Sequence, residues 1–450
     1  MSRPTRLASG IALALALAPL ACTASELSYT LYTGLERSDN IQLADTNPIS
    51  QTTLIPGFNF SLVQQGATIQ ASVIGDMQYR DYLGSRFSSQ TQTSLAGTVN
   101  WSVLPKRLDL TLDDYASVQP VDSLVSDAPS NQQQTNVLSF GPTLHFRVGN
   151  SFDGQAELRY LNSHAQKTQN FNSQRGMAAL RLEHQLNPTD RLSFNVEQHR
   201  VVFSNRDQGG ADYNTTDLYA RYASRLASVD IDAALGWSRI TFSQPVGGSE
   251  TSPLARLSVT WHATDRSTLG VVGSRQYSDA AEGLLQQAAP GVIVPAGSNG
   301  GIGTGINGGI NGSSNTGNIT ATSEVYLERR AEVSYSYRIA QLQFTVTPRY
   351  SRLTYNETPV FNQTARELSA GVDYNLSPTV ALSGYYEKES RSYQTLDRTD
   401  RTTGYIIGLA RQINVHWSWR VNFTRRWRTS SVPAEGFNEN RVYLGFSYTR

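Results

Sequence analysis

The sequence predicts an all-β protein, a single transmembrane antiparallel up-and-down β-barrel of about 20 strands, with 18 to 22 as the range. Apolar and polar residues alternate with period 2 over most of the chain, and short turns alternate with long polar loops. Beyond the N-terminal segment no run of about 18 apolar residues occurs, so a transmembrane helix is not predicted. Because lipid offers the backbone no hydrogen-bond partner, such a chain crosses a membrane only as a closed barrel.

Alternation is clearest near the C-terminus. Val421 and Phe423 belong to an apolar face that begins at Val415, and Asn422 and Thr424 belong to the polar face between them. Segments of this kind run for roughly 10 to 15 residues, whereas soluble strands average about 5 to 6 residues and a tilted membrane strand needs about 9 to 11. The length favours a membrane barrel. A soluble β-sandwich or β-helix with shorter strands stays the alternative.

Turn signals also alternate in length. Short turns are predicted at sites such as Gly149-Asn150 and Ser377-Pro378, with longer polar loops between them. The long loops, at Ser38 to Ser50, Gln119 to Gln133, Asn205 to Ala211 and Ser243 to Thr251, are expected outside the cell. Short periplasmic turns opposite long external loops are typical of outer-membrane barrels.

The N-terminus predicts a secretory signal peptide over residues 1–24. Arg3 and Arg6 precede an Ala/Leu-rich run over residues 7–20, and small residues follow up to Ser25. Cleavage after Ala24 leaves residues 25–450 as the barrel and removes Cys22, the one cysteine of the chain. A lipoprotein anchored through Cys22 is the alternative, although Pro19 is a poor residue three positions earlier.

The composition of the chain limits the classes of partner that are expected. A net charge of +1 gives no reason to expect nucleic acid. The predicted location is the outer membrane, with its lipid and the barrel-assembly machinery as partners. The final segment, Arg441 to Arg450, resembles the C-terminal strand by which outer-membrane barrels are recognised for assembly, although Arg450 stands where an aromatic residue is usual.

One long segment, at about 279–320, lacks any strand or helix period. It is rich in Gly, Asn and Ser, and a structureless loop of this length is functional or mobile. It either folds inward and constricts the barrel or lies outside. If this segment constricts the pore, deletion of Gln286 to Asn318 should raise the conductance of the barrel. Because strands begin directly after the signal peptide, no plug domain is predicted.

No catalytic, cofactor or metal residue is predicted, and the protein is not expected to be an enzyme. Gly303 to Gly308 matches G-x-G-x-x-G, but it lies in the low-complexity loop without the strand and helix that a nucleotide site needs. The six histidines do not pair at ligand spacing. The alternative to this expectation is a hydrolase at the outer rim that uses Ser163 and His164.

The polar strand faces supply the candidate site residues. Charges of both signs at this density would be costly in a packed core and are reasonable around water. They either line a pore or pair across strands to brace the wall, and the two roles are compatible. The candidate pore-lining residues are Asp109, Asp113, Arg159, Glu197, Asp230, Asp232, Glu328, Arg330, Arg338, Arg349, Asp373, Glu387, Arg420 and Arg426.

The first strand and loop of the mature chain, Leu31 to Leu43, with Thr53 to Leu62, resemble a family of β-barrel porins associated with exopolysaccharide synthesis and export loci. The S-D-N-I-x-L segment, Ser38 to Leu43, carries most of the likeness. The resemblance implies an outer-membrane barrel that passes or helps to secrete a polysaccharide, together with periplasmic export components.

The predicted function is therefore a pore for exopolysaccharide export or for general solute diffusion. Tyr326, Tyr385, Arg420 and Arg426 would give a polymer weak, repeated contacts. A non-conducting structural or surface-binding barrel, as an adhesin or receptor, is the alternative. The sequence leaves the solute, its direction and the oligomeric state open.

Overall fold

A computed structural model describes residues 25–84, 86–205, 211–243, 247–287 and 322–450. These residues form twenty β-strands and one α-helix. The first ten strands are β1 (Ser25–Ser38), β2 (Gln51–Gln65), β3 (Ile69–Tyr82), β4 (Gln90–Leu104), β5 (Leu108–Pro120), β6 (Gln132–Val148), β7 (Phe152–Ala165), β8 (Ser173–Gln185), β9 (Asp190–Phe203) and β10 (Tyr213–Arg225). The remaining elements are β11 (Val229–Phe242), β12 (Ser249–Thr264), β13 (Ser267–Asp279), α1 (Ala280–Gln287), β14 (Val325–Arg338), β15 (Leu342–Tyr355), β16 (Gln363–Ser377), β17 (Val380–Tyr393), β18 (Arg398–Gln412), β19 (Trp417–Ser430) and β20 (Phe437–Thr449).

The sheet is closed. Each strand pairs antiparallel with its sequence neighbours, and β1 also pairs with β20, so every edge is satisfied. Turns of two to four residues join the strands at one end, here called the short-turn end, where β1 begins and β20 ends. The connections at the other end, the long-loop end, are longer for the most part. The predicted antiparallel barrel of about 20 strands is confirmed, whereas the signal peptide and most of the 279–320 segment lie outside the described residues.

The two faces of the wall differ in polarity, as the alternation predicts. Large apolar side chains are exposed on the outward face, with Leu235 69% and Trp237 64% accessible. On the same strand, Ala234 and Ser238 face inward and are buried. Five of the aromatic residues near strand ends, Tyr79, Tyr160, Trp261, Tyr374 and Trp417, are exposed as an interface girdle requires. Tyr82 departs from this pattern, since it lies inward and its hydroxyl accepts a hydrogen bond from Gln90.

The S-D-N-I-x-L segment closes the barrel seam. Ser38 donates to the Glu439 carboxylate at 2.7 Å, and the Asn40 side-chain amide donates to the backbone oxygens of Ala44 and Asn438, each at 2.8 Å. Ile41 is buried beneath the same loop. These contacts tie the β1–β2 loop to β20, the last strand, so the segment has a structural role where the two ends of the sheet meet.

Helices of the described residues include none that is long and apolar enough to cross a membrane.

Gly236 on β11 is expected to tolerate no side chain. A Cβ at this position would overlap the carbonyl oxygen of Leu218 and the Cα of Tyr219, which are backbone atoms of the adjacent strand. A Cβ at Gly176, also within a strand, would meet no atom within 4 Å. We predict that Gly236→Ala lowers the free energy of unfolding by about 1–3 kcal/mol, as overpacking does. Urea unfolding checks this, and Gly176→Ala is the control that should stay near wild type. Equal stability of the two variants contradicts the packing argument.

Candidate functional site: a constriction in the barrel interior

Pairing register and strand alternation place all fourteen predicted polar residues on the inward face. Several form ion pairs across strands. Asp113 lies 2.5 Å from Arg159, and Arg349 bridges Glu332 at 2.9 Å and Glu367 at 3.4 Å. The bracing role is therefore visible in the structure. The pore-lining role stays a prediction.

The β5–β6 connection, residues 121–131, forms a compact loop. The Asn131 side chain organises it: the amide nitrogen donates to the backbone oxygens of Asp122 (2.8 Å) and Ser126 (3.0 Å), and the amide oxygen accepts from the backbone N–H of Asp122 (3.0 Å). A 3₁₀ turn at Pro129–Asn131 returns the chain to β6. These bonds satisfy the loop backbone internally and fix its shape.

This loop reaches across the interior to strands far along the chain. Arg426 on β19 donates to Asp127 at 2.9 Å, and Tyr393 on β17 donates to the backbone oxygen of Ser123 at 3.3 Å. Ser123, Ser126 and Ala128 are buried. The expectation that the loop between Gln119 and Gln133 lies outside is therefore wrong. Its internal bonds hold the partly buried carboxylate of Asp127 within hydrogen-bond distance of Arg426 on the far wall.

The electrostatics of Asp127 show how firmly the loop is held. Burial acts to raise the pKa of this carboxyl, but the charge and hydrogen bond of Arg426, together with the charges of Arg428 and Arg441, lower it by more. The net result is a pKa of Asp127 below its ordinary value. An ionised Asp127 thus neutralises part of an arginine cluster on β19 and β20.

The second inward segment is α1, which follows β13 directly. Asp279 caps the helix: its Oδ1 accepts from the backbone N–H groups of Ala281 and Glu282, each at 3.0 Å. Its Oδ2 accepts from Arg175 on β8 and from the hydroxyl of Tyr213 on β10. The carboxylate, the guanidinium and the phenol are all buried, so this network ties the start of α1 to the wall.

The apolar side of α1 packs against a different part of the wall. Ala281 and Leu284 contact Tyr115 and Val137 of β5 and β6, and Phe171 completes the buried cluster. The helix therefore spans the interior from β13 to β5–β7. The expectation of a segment without regular structure is therefore wrong at Ala280–Gln287, which form a helix inside the barrel. That the segment constricts a pore stays a prediction, and residues 288–321 lie outside the described residues.

Between α1 and the wall is a cavity of about 370 Å³, lined by Asp113, Arg159, His199, Asp217 and Glu282 among others. Ligand atoms of Glu197, His199 and Asp217 lie within 4.8 Å of one another. An imidazole with two carboxylates can hold a divalent cation. Charge compensation is already partly supplied, however, since Arg256 lies 3.9 Å from Asp217 and Tyr219 donates to Glu197. No metal is assigned to this cluster. Glu197 and His199, two residues apart on one strand face, were the signal for it in the sequence.

Docking of α1 is expected to weaken as the pH rises. Burial raises the pKa of Glu282 to about 7 from an ordinary 4.5, and the carboxyl faces His199, Asp217, Asp279 and Arg256. Between pH 4.5 and pH 7 the docked helix therefore keeps a proton on Glu282 that the undocked helix has lost. Docking is strongest below pH 4.5 and weakens as the pH rises to 7. The docking equilibrium constant falls by up to about two orders of magnitude over this range. If the interior conducts, the conductance is higher at pH 8 than at pH 5.

Glu282→Gln should abolish this pH dependence, and Glu26→Gln at the short-turn end is the control that should retain it. Conductance recorded at both pH values checks the expectation. A pH response that survives in Glu282→Gln contradicts the assignment to this carboxyl.

Two sequence hypotheses change with the structure. Ser163 is buried on the inward face and bonds Ser173 and the backbone oxygen of Phe171, whereas His164 is exposed on the outward face. A Ser163–His164 hydrolase pair is therefore not formed. Tyr326 is buried, with its hydroxyl bonded to the backbone oxygen of Asp279, and Arg426 is covered by the β5–β6 loop, so neither is free to contact a polymer.

Comparisons with known proteins agree with this fold. The family model described as "Putative beta-barrel porin 2" matches residues 363–450, which cover β16 to β20. The match lies at the opposite end of the chain from the S-D-N-I-x-L segment. Among curated proteins, no sequence matches the chain.

Similar solved structures include outer-membrane barrels. The ferric enterobactin receptor PfeA of Pseudomonas aeruginosa is 11% identical, with 95% of this chain and 82% of that chain covered and a TM-score of 0.48. The FrpB iron transporter of Neisseria meningitidis is 8% identical over 94% and 81% of the two chains, with a TM-score of 0.42. OpdK of Pseudomonas aeruginosa, solved with vanillate, is 10% identical over 94% and 98%, with a TM-score of 0.37.

Proposed function

We propose that this barrel spans the outer membrane and lets small hydrophilic solutes diffuse through an interior narrowed by the β5–β6 loop and α1. The observation that carries the proposal is the division of the wall, with exposed apolar side chains such as Leu235 outside and ion pairs such as Asp113–Arg159 inside. A closed sheet with an apolar outer face and a charged interior is the arrangement of diffusion porins. In this placement the long-loop end is external.

The inward segments favour small solutes over a polymer. The loop is bonded to β17 and β19, and α1 is bonded to β8 and β10 and packs on β5–β7. Together they cross the interior in two directions near the long-loop end. Export of a polysaccharide, which the resemblance to an export-associated family implies, would need both segments to move. Two of the side chains expected to contact a polymer, Tyr326 and Arg426, are already hydrogen-bonded to Asp279 and Asp127.

Reconstituted protein tests the proposal. In planar bilayers we expect stable unitary conductance, and in liposome-swelling assays we expect pentoses to enter faster than trisaccharides. Protein unfolded by boiling is the control and should give neither signal. Absence of conductance from folded barrel would favour the non-conducting structural or surface-binding alternative. Entry of long oligosaccharides at the same rate as pentoses would contradict a narrowed interior and would favour polysaccharide export as the function.

A further inference from the structure

A row of cations follows the outward face in the outer half of six consecutive strands. From β14 to β19 each strand contributes one exposed cation to this basic belt: Arg329, Arg352, Arg366, Lys388, Arg401 and Arg425. Alternation puts each of them on the face that carries the exposed apolar residues, not on the face that carries the ion pairs described above.

No carboxylate compensates the belt. The outward positions of β14 to β19 include neither Asp nor Glu, because the acids of these strands, such as Glu332, Glu367 and Glu389, all face inward. Within the described residues the belt side chains form no ion pair, and the one aromatic contact places Arg425 over the ring of Trp427 at 5.8 Å. An unneutralised row of this kind needs anions from outside the chain.

The register brings some of these charges face to face. Arg329 pairs directly with Arg275 of β13 on one side and with Arg352 of β15 on the other. Side chains directly opposite each other in neighbouring strands stand about 5 Å apart at Cβ, and like charges there are destabilising. Arg329 and Arg352 are both exposed, so their adjacent guanidinium groups can share an anionic group that has two or three acceptor oxygens. Arg275 is only partly exposed and donates to the Ser252 hydroxyl at 3.1 Å.

Next to the belt, towards the short-turn end, the outward face turns apolar. Val333 on β14, Leu368 on β16, Ile407 on β18 and Phe423 on β19 are all exposed large hydrophobic residues. The face thus has an apolar zone that suits acyl chains and a cationic zone at its outer edge. An amphiphile with phosphorylated headgroups complements both zones at once.

The unbroken row of cations lies on one side of the barrel, whereas outward arginines elsewhere occur singly, as Arg37 on β1, Arg200 on β9 and Arg239 on β11. The outward positions in the outer half of β3 to β8 carry neutral or acidic residues, such as Asp81, Thr93, Gln134, Asn162 and Gln174, and no lysine or arginine. A general need for solubility or for interface anchoring would place cations around the whole circumference. A one-sided belt indicates a binding surface.

We propose that the basic belt binds the phosphate groups of lipids in the outer leaflet, specifically of a phosphorylated glycolipid whose acyl chains lie on the apolar zone below. This inference rests on the outer-membrane placement of the proposed function. A guanidinium group binds two phosphate oxygens at once, which the ammonium group of a lysine does not do. Arg329 and Arg352 are therefore suited to binding phosphate. The lipid fixes the barrel's orientation and neutralises the row of arginines.

Binding of a defined lipid tests the belt. The full-length barrel in detergent is titrated with lipid A carrying two phosphates, and dephosphorylated lipid A is the comparison probe. Each basic residue near an anionic surface contributes roughly a fivefold change in affinity, so we expect Arg329→Gln with Arg352→Gln to bind the phosphorylated probe about 20- to 30-fold more weakly at low salt. Wild type should bind the dephosphorylated probe weakly, and inorganic phosphate at millimolar concentration should not displace the lipid.

The control removes two charges at the short-turn end, Arg225→Gln on the inward face with Arg411→Gln on the outward face, and should bind as wild type does. Equal affinities of the two double variants, or equal binding of both lipid probes by wild type, overturn the proposal. Displacement by inorganic phosphate alone would show an ion site and not a lipid surface, which also overturns it. The conductance of the belt variant should equal that of wild type. Failure of the lipid-binding test would therefore not contradict the pore proposal. Failure of the pore proposal would be seen instead as absence of conductance in wild type.

Discussion

Asp279→Ala is expected to release α1 from the barrel interior and to raise the unitary conductance above that of wild type. The substitution removes the helix cap and leaves Arg175 buried without its carboxylate. Loss of one partner from a buried ion pair costs about 3–5 kcal/mol, and loss of the cap adds roughly 1 kcal/mol. The apolar contacts of Leu284 cannot offset this, since burial of one leucine contributes about 1.5–3 kcal/mol.

Planar-bilayer recording measures the effect, with Asp230→Ala as the matched control. Asp230 is an inward carboxylate far from α1, so its removal changes the interior charge equally and should leave the conductance near wild type. Heat-dependent migration in gels verifies that both variants still form barrels. A second variant, Arg175→Met with Asp279→Ala, should recover part of the docking, because it leaves no buried charge unpaired. Unchanged conductance in Asp279→Ala would contradict a blocking role for α1.

Asp127→Ala should free the β5–β6 loop and make the interior more anion-selective. Asp127 is the contact of the loop with Arg426, and its removal leaves the positive charge of Arg426, Arg428 and Arg441 less compensated. Both consequences act together, so we expect larger conductance and a higher ratio of chloride to potassium permeability. Reversal potentials in a salt gradient measure the ratio. Asp109→Ala, which removes an inward carboxylate near the short-turn end, is the control for charge alone.

The same contact predicts a specific response to acid. Because Arg426 holds the pKa of Asp127 below its ordinary value, the stabilisation of the docked loop is present above that ordinary value, about 3.9, and is lost as the pH falls through the lowered pKa. In a Glu282→Gln background, where α1 does not titrate, conductance should stay constant from pH 7 to about pH 4. An increase between pH 7 and pH 5 in that background would contradict the docking of Asp127.

Period-2 alternation was enough to predict the wall of this barrel. Each inward or outward assignment depends on the parity of a residue within its own strand, so Asn422 and Phe423 are placed correctly by local information alone. The same parity places Tyr82 on the inward face with Arg80, although tyrosine is a frequent residue at membrane interfaces.

The constriction could not be predicted in the same way. Asp127 and Arg426 are 299 residues apart, and nothing in the local sequence of residues 121–131 pairs the loop with β19. What the loop does show is an excess of hydrogen-bonding side chains, with Asp122, Asp127 and Asn131 all used within the fold. For α1, residues 279–320 show no helix period, so neither the helix nor the wall on which Leu284 packs was predicted. Closed barrels bring distant strands together, so contacts across the interior follow from closure and not from sequence proximity.

Cysteine labelling along β19 tests whether the wall faces lipid on the outside and water on the inside. In a Cys22→Ser background the chain has no other cysteine, and single cysteines are placed at Val421, Asn422, Phe423 and Thr424 in cells with intact outer membranes. We expect a small water-soluble maleimide to label positions 422 and 424, and a membrane-partitioning reagent to label positions 421 and 423. Uniform labelling of all four positions by the water-soluble reagent would contradict a membrane barrel and the pore function proposed for it.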